Sequence, residues 1–328
     1  MMTMKSLDKH AVILNDGRVG NYKQLFAITN HLKTEFEIHE IKLKFNFWSN
    51  LPNIFHVFDS ISLNNSKDLT KLNCSPDLIL SCGRRSAPIA KFLKSKYKNA
   101  KLVHLLKPNI NPKAFDMIIT PVHDQYPAAS FEYILPPTNI ANNNLANQSK
   151  GFEYLKLINE EKICVIIGGS SKNKSLNKND FENFAIFMNF IAGIQNKKIL
   201  LTTSRRTDPE LIDIINSATG KNTNIEAYLY RDNDDKNPYS AFLHYADKVI
   251  VTGDSISMVA DALMTKKPLI IYEGFAGKKH NSFLKTIFKN NYALKFSETI
   301  SDNDFDNLRQ YNQDDAQEIA NAILKLFA

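Results

Sequence analysis

Residues suited to chemistry gather in five places, each where an apolar run gives way to small, polar or basic side chains. The first, Asp16-Gly17-Arg18-Val19-Gly20-Asn21, opens a helical segment. Gly17 and Gly20 permit close backbone approach, and a helix start attracts an anion or a polar substrate group. Their spacing is not the G-x-G-x-x-G fingerprint, so a tight turn and a binding loop both stay open. The second, Ser81-Cys82-Gly83-Arg84-Arg85-Ser86, sets two arginines at a helix start, against the helix dipole. A bound anion or a neighbouring carboxylate would compensate them. The third, Thr120-Pro121-Val122-His123-Asp124, places an imidazole beside a carboxylate, suited to proton transfer or simply to packing.

The fourth, Gly168-Gly169-Ser170-Ser171-Lys172, follows an apolar run, and its small residues would leave backbone N–H groups for a phosphate. It lacks the Walker spacing. The fifth pairs Thr203-Ser204-Arg205-Arg206-Thr207 with Thr252-Gly253-Asp254-Ser255-Ile256-Ser257-Met258. Asp254 or Ser255 would cap a helix there, and the N–H groups of its first turn would hold a diphosphate. An ordinary N-cap is the plainer reading.

Other chemistries find no support. There is no H-E-x-x-H, the eight histidines show no ligand spacing, and no metal site is expected. No G-x-S-x-G elbow marks an α/β-hydrolase. Asp232-Asn233-Asp234 lies inside a polar run and reads as a solvated loop. Nucleic-acid binding has only the net charge of +7 in its favour, with no interleaved aromatic motif.

Short apolar runs alternating with helix-period segments must position these loops. Strands are expected at 10–15, 36–43, 77–80, 101–106, 115–120 and 133–135, with helices at 21–33 and 86–97. After Pro136-Pro137 an Asn-rich stretch, 139–149, reads as a linker. The alternation then restarts, with strands at 162–167, 198–203, 224–228, 248–252 and 268–272, and helices between them and after. Short buried strands alternating with helices mean α/β architecture with parallel sheets covered on both faces. Two such α/β halves, at 1–140 and 141–312 and followed by a C-terminal helix at 313–328, suggest a ligand cleft between them.

A length of 328 residues suits two domains, and 43% hydrophobic with 23% charged residues is ordinary globular composition. Fibrous, disordered and disulfide-rich classes are excluded. Cys74, Cys82 and Cys164 form no pairing pattern, which fits a reducing cytoplasm. No apolar run approaches the ~20 residues that span a bilayer, and the first ten residues lack a signal-peptide core. The basic excess favours anionic partners. Lys42 to Phe58 combines Phe45, Phe47, Trp48, Leu51, Ile54 and Phe55 with Lys42 and Lys44. That mixture suits docking on an anionic membrane or packing in the first domain's core.

In order, DGRVGN-x-x-Q at Asp16–Gln24, PDLILSCGRR at Pro76–Arg85, TPVHD at Thr120–Asp124, GGSS at Gly168–Ser171, TTSRRT at Thr202–Thr207, NPY at Asn237–Tyr239 and VTGDSISM at Val251–Met258 resemble the elongated-mitochondria (ELM) family of mitochondrial fission proteins. That family looks like the GT-B glycosyltransferases, which implies an α/β fold of two Rossmann-like domains facing across a cleft, and in the MurG-like branch the donor nucleotide binds the second domain. The resemblance implies that an acidic residue on the donor helix meets the ribose. Asp261 stands where related families carry Glu.

The resemblance implies a fold and a donor class; the reaction inferred from them is an inverting, nucleotide-sugar-dependent transfer to a membrane-associated or cell-envelope acceptor at the cytoplasmic face. It needs no cofactor beyond the nucleotide-sugar donor and no metal, because helix dipole and basic side chains stabilise the departing diphosphate. Gly168, Gly169, Ser170, Ser204, Arg205, Arg206, Asp254, Ser255, Ser257 and Met258 would serve the diphosphate. Arg18, Gly20, Gly83, Arg84 and Arg85 would line the acceptor side. Asp16 is the expected general base, with His123, oriented by Asp124, behind it. Alternatives are a non-catalytic membrane-associated scaffold and a nucleotide-sugar epimerase.

Overall fold

The structure, a computed structural model, describes residues 8–45, 72, 74–137, 142–170, 176–220, 222–231, 236–299 and 301–328. The chain divides into two compact units, residues 1–139 with 313–328, and residues 140–312.

The first unit runs β1 (His10–Asn15), α1 (Val19–Leu32), β2 (Glu37–Lys42), β3 (Leu78–Cys82), α2 (Ala87–Lys96), β4 (Lys101–Leu105), β5 (Met117–Pro121) and β6 (Phe131–Tyr133). Its strands pair in the order β2-β1-β3-β4-β5-β6, all parallel. The period of two in β1 sorts its side chains onto two faces. Ala11 and Ile13 pack with Leu25, Ile28 and Leu32 of α1. Val12 and Leu14 pack with Ile89, Ala90 and Leu93 of α2. Both faces are dry, which is why these strands read as continuous apolar runs.

The second unit contains α3 (Asn142–Gln148), β7 (Glu161–Ile167), α4 (Lys178–Gly193), β8 (Lys197–Thr203), α5 (Pro209–Thr219), β9 (Ile225–Tyr228), α6 (Tyr239–Tyr245), β10 (Lys248–Thr252), α7 (Ile256–Met264), β11 (Leu269–Tyr272), α8 (Lys278–Lys289) and β12 (Leu294–Lys295). Its sheet order is β12-β11-β10-β7-β8-β9, again parallel throughout. Phe184, Phe187, Met188 and Ile191 of α4 and Leu211 and Ile215 of α5 cover Ile163, Val165, Ile167, Ile199 and Leu201.

Two expectations need correction. The Asn-rich stretch is not all linker, since α3 forms within it, with Leu145 buried and the Ser240 hydroxyl donating to Gln148 Oε1 at 2.7 Å. The final helix, α9 (Asp315–Leu324), is part of the first unit's core, where Ile319, Ala320 and Ile323 join the α1 face. Among the described residues no helix is long and apolar enough to cross a membrane.

Candidate functional site

In each sheet one strand has its successors on opposite sides, which opens a crevice at the carboxyl ends of two neighbouring strands. In the second unit that point lies between β7 and β10, and in the first between β1 and β3. The first, second and fourth loops and the 252–258 segment leave from these strands, the Ser204–Thr207 turn follows β8 beside β7, and the 120–124 loop follows β5 away from the crevice.

The second unit's site is organised by a buried carboxylate. Asp254 is fully enclosed. It accepts from the Thr252 hydroxyl at 2.7 Å, from the Gly169 N–H at 3.1 Å and from Arg206 Nη2 at 3.1 Å. Burial raises its pKa, and these three partners oppose the rise. The Gly168 N–H donates to Thr252 Oγ1 at 2.7 Å, and the Ser170 N–H to Asp208 Oδ2 at 2.8 Å. The Gly168–Ser170 N–H groups therefore do not stand open to a phosphate, contrary to the expectation from composition. Glycine is required for a different reason. A Cβ on Gly168 would lie 2.1 Å from Asp254 Oδ1, and one on Gly169 would lie 1.8 Å from the Arg206 carbonyl oxygen.

Ser204 also turns inward, with its Oγ accepting from the Arg206 N–H at 3.1 Å. The turn is closed by Thr207, whose hydroxyl donates to the Gly168 carbonyl at 2.6 Å. Asp254 and Ser204 thus hold the site's frame, while the exposed Arg205 and Arg206 carry its positive charge. Ser255 is the N-cap of α7, its Oγ accepting from the Met258 N–H at 3.4 Å. That leaves the N–H groups of Ile256 and Ser257, at a first turn that offers them no intrahelical carbonyl, as the candidate donors to an anion.

Asp261 lies on the face of α7 that carries Ser257 and Met258, one turn on. Its Oδ2 accepts from the Tyr239 hydroxyl at 3.0 Å, and the Tyr239 N–H in turn donates to Asn237 Oδ1 at 3.0 Å. The NPY motif therefore positions the carboxylate on α7. Sequence reasoning missed His280, in the first turn of α8. Burial and the charges of Arg206 and Lys279 lower its pKa, so the ring is neutral at pH 7 and can donate or accept.

In the first unit the loops after β1 and β3 interlock. Asp16 Oδ1 accepts from the Arg18 N–H at 3.0 Å and Oδ2 from Asn21 Nδ2 at 3.0 Å. Arg85 Nη2 donates to the Asp16 carbonyl at 2.8 Å and stands 3.6 Å from its carboxylate. Arg85 also stacks on Phe45, 4.6 Å from the ring centroid. Arg85 thus has the carboxylate neighbour that one of the two readings of its loop called for. Asp16, with a side chain only 1% exposed, is the organiser of this loop pair. Gly83 takes φ +80, and a Cβ there would meet Asn21 Nδ2 at 2.7 Å. Gly17 takes φ +74, whereas Gly20 lies inside α1 with nothing near its missing Cβ. Arg18 is exposed and Arg84 half-buried.

His123 and Asp124 form a single short helical turn after β5, with Nε2 3.9 Å from Asp124 Oδ1. The β1 and β5 strands are three places apart, which at ~4.8 Å per strand is ~14 Å. Asp16 and His123 are not one dyad. Ser171, Lys172, the Asp232–Asp234 stretch and Phe47 to Phe58, Trp48 included, lie outside the described residues.

Two Rossmann-like units built on parallel six-stranded sheets, the second with a charged helix-start site, define a protein of the GT-B fold. The chain belongs to the mitochondrial fission ELM1 family, which it matches over residues 19–327. It is 30% identical to an uncharacterised protein of Rickettsia prowazekii (strain Madrid E), the match covering 88% of this chain and 91% of that protein. Among solved structures it is similar to a Listeria monocytogenes protein described as a UDP-N-acetylglucosamine 2-epimerase, with TM-score 0.63, 13% identity, and 98% and 96% of the two chains covered. It is likewise similar to a UDP-glucosyltransferase from Polygonum tinctorium, with TM-score 0.57, 9% identity, and 97% and 92% covered. At such identities the likeness establishes the fold alone.

Proposed function

We propose that this chain binds a nucleotide sugar on its second unit and transfers the sugar, with inversion, to a membrane-associated or cell-envelope acceptor. The observation that carries the reading is the start of α7 at the sheet's switch point, with Arg206 braced beside it by Asp254. A diphosphate accepts from the Ile256 and Ser257 N–H groups, and Arg205 and Arg206 balance its charge. Asp261, held by Tyr239, faces the ribose. His280 serves the leaving group as a neutral hydrogen-bond donor. Asp16 is assigned the general base, with His123 the alternative. The fold likeness to proteins named for UDP-sugar chemistry supports the donor class.

Thermal shift with nucleoside diphosphates tests the donor site. A ligand at 100-fold its Kd stabilises the fold by about 2.7 kcal/mol. Arg206→Ala should abolish the shift, and no shift at millimolar nucleotide in the wild type would remove the reading. For the base, Asp16→Asn should cost roughly 10²–10⁴ in turnover with nucleotide binding intact. Lost stability with unchanged turnover per folded molecule would leave Asp16 as a loop organiser only. Donor turnover without any acceptor would favour the second reading, an epimerase.

A further inference from the structure

We propose that His10, His39 and Cys74 form a binding site for a divalent transition-metal ion of the zinc class, in the amino-terminal half of the first sheet. The loops described above lie at the opposite, carboxyl edge. Spacing along the chain carries no sign of this site, and strand pairing creates it. In the β1–β2 ladder His10 stands opposite Glu37, and Val12 opposite His39. The two histidines therefore meet diagonally, and Cys74 reaches them from the chain entering β3.

The geometry suits a tetrahedral ion. His10 Nδ1 and His39 Nε2 are 3.1 Å apart, and one ligand atom from each of the three residues lies within 4.8 Å of the others. Zinc bonds of about 2.0–2.1 Å to nitrogen and about 2.3 Å to sulfur place two nitrogens about 3.3 Å apart and nitrogen and sulfur about 3.6 Å apart. The imidazole pair is already near that separation, and the sulfur, within 4.8 Å of both, has at most about 1.2 Å to close. Glu37 adds a carboxylate, its oxygens 3.5 Å from His10 Nδ1 and 3.7 Å from His39 Nε2. It supplies the fourth ligand or, through a water, its charge.

The electrostatics agree. Glu37 and Asp77 place negative charge beside Cys74, a field suited to a cation. Asp77 also anchors the start of β1, accepting from the His10 N–H at 2.8 Å. Two imidazoles and a thiol are borderline-soft donors, suited to zinc and poor for magnesium or calcium. On binding, the thiol releases its proton and sulfur takes its place on the metal. The ion would tie β1, β2 and the approach to β3 together.

The experiment is a cobalt titration of untagged, chelator-treated protein, followed by competition with zinc. The expected result is one equivalent per chain, with a thiolate-to-cobalt charge-transfer band and intense tetrahedral d–d bands that zinc abolishes. Cys82 and Cys164 are fully buried, so the thiolate band reports Cys74. Cys74→Ser should remove the band, and His39→Ala should weaken zinc binding at least tenfold. No thiolate band in the wild type at stoichiometric cobalt overturns the proposal, and so does zinc affinity unchanged in both variants. Should Cys74→Ser not fold, zinc protection of wild-type Cys74 from alkylation decides instead, and unprotected modification refutes the site.

Discussion

Replacing Gly169 with alanine should break the frame of the second unit's site without touching a charged residue. The added Cβ would lie 1.8 Å from the Arg206 carbonyl oxygen, 2.4 Å from its carbon and 2.7 Å from Thr207 Cα. All three are backbone atoms, so no rotamer relieves the clash. The 204–207 turn must retreat by about 1.2 Å merely to reach the shortest tolerated contact, an overpacking that costs roughly 1–3 kcal/mol. The retreat also stretches the Gly169 N–H bond to Asp254 and the Thr207 hydroxyl bond to the Gly168 carbonyl, about 1 kcal/mol each. The total loss is about 3–5 kcal/mol in that unit, or roughly 6–20 °C in melting temperature. Urea and thermal unfolding against Gly193→Ala supply the measurement. Gly193 ends α4 with nothing within 4 Å of its missing Cβ, so alanine there should be neutral or slightly stabilising. A Gly169→Ala protein within about 0.5 kcal/mol of wild type would refute the reasoning, because it would mean the two loops are not in contact as described.

Asp254→Asn should flatten a pH dependence. Burial raises the folded-state pKa of Asp254, so between its unfolded and folded values the native state holds more protons, and the wild type gains stability over the variant as pH falls from 7 through the folded pKa. Urea midpoints at neutral and mildly acidic pH check this, and a constant difference would count against it. Lys267 runs the other way. Its ammonium donates to the Leu243 and His244 carbonyls, at 2.5 and 2.7 Å, and burial lowers its pKa from 10.5 to about 8. The unfolded chain therefore binds more protons between those values, and wild type should gain up to roughly 3 kcal/mol over Lys267→Met as pH rises from about 8 to 10.5. Tyr239→Phe removes the hydroxyl bond to the Asp261 carboxylate and should cost about 1 kcal/mol of stability, with weakened nucleotide binding by calorimetry.

The central strands were legible because both sheet faces are dry, so AVIL at 11–14 and the 163–167 run are apolar without interruption. Helices with caps were legible too, as at Ser255 before α7. The α3 helix was not, because NNNLANQ has one large apolar residue and therefore no period to follow. Composition marked the Gly168–Ser170 loop as special but misjudged how: small residues there make room for Asp254 and the Arg206 carbonyl instead of exposing N–H groups. Arg85 was recognised as needing an anionic neighbour, but Asp16 could be named only once β1 and β3 were known to be adjacent. His280 and the His10–His39 meeting depend on which strands become neighbours, and no local pattern encodes that.

The return of α9 to the first unit fixes an order of events during synthesis. Residues 313–328 leave the ribosome after all of 140–312, yet Ile319, Ala320 and Ile323 fill the face formed by Leu25, Ile28 and Leu32. The half translated second therefore has every strand of its sheet in hand while the half translated first still waits for its last helix. Until then the α1 side of that earlier sheet presents bare apolar surface, the kind that nascent-chain chaperones engage. A chain cut short before residue 313 would thus leave the amino-terminal half incomplete, although none of its own strands is lost.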